Sequence, residues 1–239
     1  GCSLDSKTGI WNSEEKIELA SIHFGGGTPA LLSKSQLGGL LADLRSRFRL
    51  REGAEVTIEG TPGSLSSQKL SDYCEVGITR LSVGVQSFDV NELAVMGRDD
   101  IFTEDNVPSI ILEEAMRVGL KNVNVDLIHG LPGQSKELFL DDLSKAIELG
   151  VSTITLYPLV IRDRTDFGIR TRSGDALLSL ADTIFDWYDL AVDILARHGY
   201  EQKTFVLYAK EGGGNDFEEE FKGIPTLGVG AGARSYAPD

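Results

Sequence analysis

The chain has only two cysteines, three histidines, two tryptophans and two methionines among its 239 residues. Cys2 and Cys74 are too few for a disulfide framework, and a chain of this length does not need one. No apolar run approaches the roughly 20 residues of a membrane span. No basic segment followed by an apolar stretch opens the chain, so a cytoplasmic location is the default expectation. Basic residues are the scarce charge. The balance of 23 basic against 37 acidic residues leaves a net charge of -14. That repels phosphate backbones and anionic surfaces and argues against nucleic acid as a partner, a local basic patch aside.

With 41% hydrophobic and 25% charged residues, the chain can bury one sizeable core. Apolar runs of strand length at 20–25, 55–59, 80–88, 122–129 and 153–160 alternate with helical patterns at 33–48, 64–75, 106–118 and 136–149. Three of these helices end at Gly77, Gly119 and Gly150, each just before the next strand, as a left-handed helix cap requires. Alternation of this kind implies α/β architecture with a parallel sheet, because parallel neighbours need a crossover. Closed and open sheets both fit. Polar residues gathered where strands leave the core favour a full or partial (β/α) barrel with its site at the strands' C-terminal ends. A last helix at 175–198 precedes a strand at 201–208, a Gly-rich loop at 210–215 and a Gly/Ala-rich closing segment at 224–236. Residues 1–210 read as one barrel unit, residues 211–239 as its Gly-rich closure.

The strongest local signal is His23-Phe24-Gly25-Gly26-Gly27-Thr28-Pro29, between a strand and a helix. Three glycines let a ligand approach the backbone closely. The loop could hold an anion, turn carbonyls towards an ammonium group, or simply make a tight turn; it lacks the Lys of a P-loop. Glu59 ends the second strand, Gln86 ends the third, and Asp126 lies within the fourth. A carboxylate left alone in an apolar strand costs several kcal/mol, so the set is expected to converge on a common ligand. His23 and His129 flank these motifs and read as packed or hydrogen-bonded histidines, and Cys74 as a buried small hydrophobe. Arg162, Arg164, Arg170 and Arg172 form a basic cluster in an acidic chain, either a site for an anionic substrate or a solvated loop.

Phe24-Gly25-Gly26-Gly27-Thr28-Pro29, Ile58-Glu59, the run from Arg80 through Gln86 to Phe88, Gly97-Arg98 and the run from Val125 through Asp126 to Gln134 resemble a known family. In order and spacing they are similar to the oxygen-independent coproporphyrinogen III oxidases and haem chaperones of the radical S-adenosylmethionine (SAM) proteins. The resemblance extends from about Ile22 to Tyr236. It implies a partial (β/α) barrel of the radical SAM type, holding SAM and a [4Fe–4S] cluster. By the same resemblance Gly25, Gly26, Gly27 and Thr28 would receive the methionine amino end, and Glu59, Gln86, Arg98 and Asp126 the ribose and carboxylate. Leu156 and Pro158 are weaker candidates, on the strand that passes the adenine.

In that family three cysteines in a CxxxCxxC pattern ligate the cluster. An electron, from a donor such as flavodoxin or ferredoxin, then cleaves SAM to a 5′-deoxyadenosyl radical that abstracts hydrogen from a small-molecule substrate, in some members a tetrapyrrole. This sequence has no such pattern, and Cys2 alone cannot hold a cluster. The first strand and the cluster loop are therefore expected upstream of Gly1. Arg234 stands where His is common in the family, which weakens transfer of a porphyrin substrate. The resemblance implies hydrogen abstraction of the coproporphyrinogen oxidase kind, with radical C-methylation, a haem chaperone or a cluster-free binding module as the other readings.

Overall fold

The computed structural model describes residues 3–4, 11–12, 16–98, 107–120, 122–161, 169, 181–213 and 223–237. Cys2 and the four arginines of the 162–172 cluster lie outside the described residues. Nine strands are described: β1 (Ser3–Leu4), β2 (Trp11–Asn12), β3 (Glu18–Phe24), β4 (Arg49–Gly60), β5 (Arg80–Gln86), β6 (Asn122–His129), β7 (Thr153–Pro158), β8 (Glu201–Gln202) and β9 (Leu207–Ala209). The helices are α1 (Lys34–Arg47), α2 (Ser67–Val76), α3 (Val90–Val95), α4 (Val107–Arg117), α5 (Lys136–Glu148) and α6 (Ala181–Arg197). Strands β3 to β7 run parallel in sequence order, followed across the sheet by β9 and β8. The sheet curls into a half-barrel, as expected. The short β1–β2 pair is separate.

The helices begin and end where short-range chemistry dictates. Ser33 and Gln36 exchange side-chain hydrogen bonds with each other's backbone N–H in a capping box at α1. Ser66, Asp89 and Ser135 cap α2, α3 and α5 by accepting from backbone N–H groups of the first turn. At the far ends Gly77 and Gly119 take φ of +94° and +105°, and the following residues close back onto Tyr73 O and Ala115 O. Those are the left-handed caps expected from the sequence. Gly199 ends α6 in the same way, with Tyr200 donating to Leu195 O.

One face of the sheet is apolar. Ile58, Leu81, Val83, Val125, Leu127, Ile154 and Leu156 are buried beneath Leu37, Leu41, Leu70, Leu112, Phe139 and Leu143 of the crossover helices. Burial of each such side chain contributes roughly 2 kcal/mol. The other face is lined by alternate residues of the same strands and is polar. Strand register aligns His23, Thr57, Arg80 and Asn122 in one row, Glu59, Ser82, Asn124 and Thr153 in the next, and Gly84, Asp126 and Thr155 in a third.

One expectation needs correction. Beyond the parallel strands, β9 pairs antiparallel with β7. The single strand expected at 201–208 is two short antiparallel strands, β8 and β9, with Lys203 and Thr204 donating to Leu207 O to make the turn between them. Inside the apolar layer His129 packs against the rings of Phe139 and Tyr188, each at 5.7 Å. Neither ring nitrogen has a hydrogen-bond partner among the described residues.

Burial pushes the His129 imidazole down to about 4, well below its ordinary value. A depressed folded pKa means that this histidine's contribution to stability is present above pH ~6.5 and is lost as pH falls through about 4. NMR titration of the His129 ring is expected to show a neutral imidazole throughout pH 5.5–8; a midpoint near 6.5 would contradict this packing.

Candidate functional site

The glycine loop is tied to the sheet by Glu59. His23, next to last in β3, places Nε2 2.8 Å from Glu59 Oε1, and the Gly26 N–H donates to Glu59 Oε2 at 3.1 Å. Gly25 lies directly beneath this pair: a Cβ there would sit 2.6 Å from His23 Nε2 and 2.9 Å from Glu59 Oε1. Gly26 and Gly27 adopt φ of +72° and +59° with open space around them, a conformation that favours glycine and leaves the backbone uncovered. The His23 hydrogen bond holds the Glu59 carboxyl below the usual carboxylate range, helped by the Gly26 N–H and the nearby Arg80 charge. Thr28 opens the short 3₁₀ turn Pro29–Leu31, and Lys69 of α2 donates to Ala30 O to anchor it.

Asp126 occupies the same face two strands away. Asn124 Nδ2 donates to its Oδ1 at 2.7 Å and the Ser82 hydroxyl lies 3.4 Å from its Oδ2. Asn124 Oδ1 in turn accepts from Thr155 at 3.0 Å. Burial pushes the Asp126 carboxyl up to about 6, against the hydrogen bonds of Asn124 and Thr155 and the charge of Arg80. Two carboxyls on one concave face are thus shifted in opposite directions by their surroundings, a pattern common at functional sites. Tyr157 faces them, its hydroxyl pushed up to about 12 by burial and by both acids.

Gln86 is the one non-glycine among the described residues with positive φ, at 73°. It sits at a bulge where the β5–β6 register shifts between Gly84 and Gln86, and such a conformation costs about 1 kcal/mol or more. Its amide folds back over Gly84, where a Cβ would lie 2.8 Å from Gln86 Nε2. Gly84 is the register partner of Asp126, so Gln86 joins the cluster. Arg98 follows α3 and the left-handed Gly97, its N–H bonded to Leu93 O at 2.9 Å. Its guanidinium makes no hydrogen bond or ion pair among the described residues. Leu156 lies with its side chain away from the polar face. It is fully buried in the helix-covered core, because its neighbours Thr155 and Tyr157 take the places on the polar face. Pro158 ends β7 exposed, opposite His129.

Five contributors to this face were not singled out from the sequence: Arg80, Ser82, Asn124, Thr155 and Tyr157. Their signal is present as alternation, in Arg80/Ser82/Gly84, Asn122/Asn124/Asp126 and Thr153/Thr155/Tyr157. Arg80 is buried to 1% exposure, with Nη2 3.4 Å from Thr153 Oγ1 and Nε 3.8 Å from Glu55 Oε1. An iron–sulfur cluster does not fit the residues described. Cys74 packs half-buried on α2 with its sulfur 3.5 Å from Val118 O, and no group of metal-ligating side chains occurs among the described residues.

The raised Asp126 carboxyl binds its proton more tightly folded than unfolded. Its contribution to stability is full below pH ~4 and lost as pH rises through about 6. Asp126→Asn is expected to remove that slope and to raise stability at pH 8 by about 1–2 kcal/mol. Urea unfolding at pH 5 and pH 8 checks this; an unaltered slope would count against the burial argument.

Comparison with known proteins bears on this geometry. The model of the radical SAM superfamily matches residues 11–146. The haem chaperone HemW of Lactococcus lactis is 36% identical over 240 residues, covering 98% of this chain and 61% of the relative. That of Escherichia coli is 37% identical over 195 residues, covering 82% and 50%. The chain therefore spans about half to three-fifths of the length of these relatives. Among solved structures, coproporphyrinogen III oxidase (HemN) from Escherichia coli superposes with a TM-score of 0.78 at 24% identity, over 92% of this chain and 52% of that one. The curled parallel sheet, the glycine loop after its first parallel strand and the motif-wide match agree: the chain belongs to the radical SAM superfamily, on the branch of coproporphyrinogen III oxidase and the haem chaperones.

Proposed function

We propose that the concave face binds SAM through the glycine loop, Glu59, Gln86, Arg98 and Asp126, in a protein that handles haem. The observation that carries the SAM assignment is the convergence of two acceptor carboxyls and an open glycine backbone on the polar side of one sheet. Each Glu59 oxygen uses one lone pair internally and keeps another for a ribose hydroxyl. Asp126, partly exposed above Asn124, offers a second acceptor. Gly26 and Gly27 leave room for the methionine end, and the Arg98 guanidinium offers a fork of donors for its carboxylate. When bound, SAM supplies a cleavable bond between sulfur and the 5′-deoxyadenosyl carbon. The cluster that would donate the electron for cleavage finds no thiolate set among the described residues.

Relatives at 36% and 37% identity named as haem chaperones support haem transfer over coproporphyrinogen oxidation as the role of the protein. The likeness to the coproporphyrinogen oxidase structure is one of fold. Haem is then the tetrapyrrole partner, and an electron donor such as flavodoxin or ferredoxin serves whatever SAM cleavage accompanies transfer.

Calorimetric titration with SAM is expected to show binding to the wild type that weakens by about tenfold or more in Glu59→Ala and Asp126→Ala, from the loss of a charge-assisted hydrogen bond. Unchanged affinity in both would refute the assignment. A haemin titration followed at the Soret band is expected to saturate. Turnover of coproporphyrinogen III without haem binding would overturn the chaperone reading in favour of the oxidase.

A further inference from the structure

Behind the concave face lies a second polar cluster, sealed from solvent. Ser87, Glu92, Gln134 and Asp142 are 0%, 5%, 5% and 2% exposed. They come from four places: the end of β5, the helix α3, the loop after β6, and α5. Gln134 Oε1 accepts from Gly130 N–H at 2.8 Å and Leu131 N–H at 3.3 Å, closing the loop after β6 on itself. Its Nε2 donates to Glu92 Oε2 at 3.0 Å, locking that loop to α3. Asp142 Oδ1 accepts from Phe88 N–H at 2.8 Å, locking the chain after Gln86 to α5.

Buried polar side chains of this kind need a reason, since leaving them partly satisfied is costly. Apolar residues would pack there more simply. What the cluster does hold is geometry. α3 is one short helix, and Arg98 follows it through Gly97 with its N–H on Leu93 O. The loop closed by Gln134 leaves the strand that carries Asp126. The Glu92–Gln134 bond is thus the direct link between the element that presents Arg98 and the strand that presents Asp126.

We propose that Gln134 and Glu92 are positioning residues that set the separation of Arg98 and Asp126, and so the grip of the site on SAM; this rests on the SAM reading of the concave face. Neither touches the ligand. The charged groups around them are few. Asp89 lies on the α3 side, and Asp142 and Lys145 on the α5 side, with Lys145 itself paired to Asp141 at 2.8 Å. Burial raises the carboxyls of Glu92 and Asp142, the latter to about 7, and the Ser87 hydroxyl lies beside both. One oxygen on each, Glu92 Oε1 and Asp142 Oδ2, has no hydrogen-bond partner among the described residues. The Gln134 amide N–H donates to the other Glu92 oxygen, Oε2, and ties it to the loop after β6.

The test is a pH profile of SAM affinity by calorimetry in wild type and Gln134→Glu. The variant keeps the acceptor for Gly130 and Leu131 but replaces the donor to Glu92 with a second carboxyl. It is expected to bind SAM about tenfold more weakly than wild type at pH 8, because a buried acceptor has lost its donor. By pH 5.5 the deficit should shrink to within about threefold, as a proton shared between the two acids restores the bond. A folded Gln134→Glu that binds like wild type at both pH values, or a deficit that does not shrink, overturns the proposal.

If that variant does not fold, the Glu92 pair decides. Glu92→Gln retains an acceptor for Gln134 and should stay within about twofold of wild type, whereas Glu92→Ala should lose about tenfold. Equal affinity in the two overturns the proposal. Asp126→Ala separates the two levels of argument. Absence of SAM binding in the wild type sinks the reading of the site itself. Weakened binding in Asp126→Ala beside unweakened binding in the Gln134 and Glu92 variants sinks the positioning role alone.

Discussion

Arg80 lies under the concave face with 1% of its surface exposed, and a guanidinium cannot shed its charge. A buried cation of that kind must be balanced and hydrogen-bonded, or the fold loses several kcal/mol. Glu55 stands 3.8 Å from its Nε, Thr153 accepts from Nη2, and its charge reaches Glu59 and Asp126. The rest of the polar face is arranged around that requirement. Glu55 accepts from Asn122 and from Thr57, and Asn124 bridges Ser82, Asp126 and Thr155. Because the apolar side of the sheet is covered by helices, this polar side is the only one of the two on which a polar ligand can meet side chains of every parallel strand.

The parallel part of the fold was legible because its cues are local. Serine and aspartate caps, left-handed glycines and apolar strand runs act within a few residues, and the strand–helix alternation they mark leaves little freedom of topology. The antiparallel end of the sheet was not legible in that way. A strand at 201–208 and a β8–turn–β9 hairpin share the same composition, and the turn at Lys203 to Val206 has no Gly-Asn or Pro-Gly signal to mark it. α3, capped by Asp89, is too short at six residues to show a helical period.

At the site, motif residues were legible and their supports were not. Glu59 and Gln86 stand out as polar residues at strand ends and Asp126 as a carboxylate within a strand, and the structure brings all three to one face. The Leu156 side chain lies on the helix-covered face by parity: residues on a strand alternate between faces, and the resemblance located the strand without the pleat. The same parity, applied along β5, β6 and β7, would have exposed Arg80, Ser82, Asn124 and Thr155. Polar residues at every second position of a parallel strand contradict the usual reading of such strands as buried on both sides.

Position along the strands divides stability from function. Towards the N-terminal ends the polar rows are linked networks, in which Arg80 donates to Thr153 and lies beside Glu55, and Glu55 accepts from Asn122. Towards the C-terminal ends the same kinds of residue are left strained or under-neutralised: Gln86 at positive φ, Asp126 holding its proton to about pH 6, Gly26 and Gly27 with nothing against them. Each of these departures weakens the folded chain taken alone. A ligand that donates to the carboxyls, covers the glycines and meets the Gln86 amide would relieve all of them together, so the gradient from satisfied to unsatisfied groups points to where the bound molecule completes the fold.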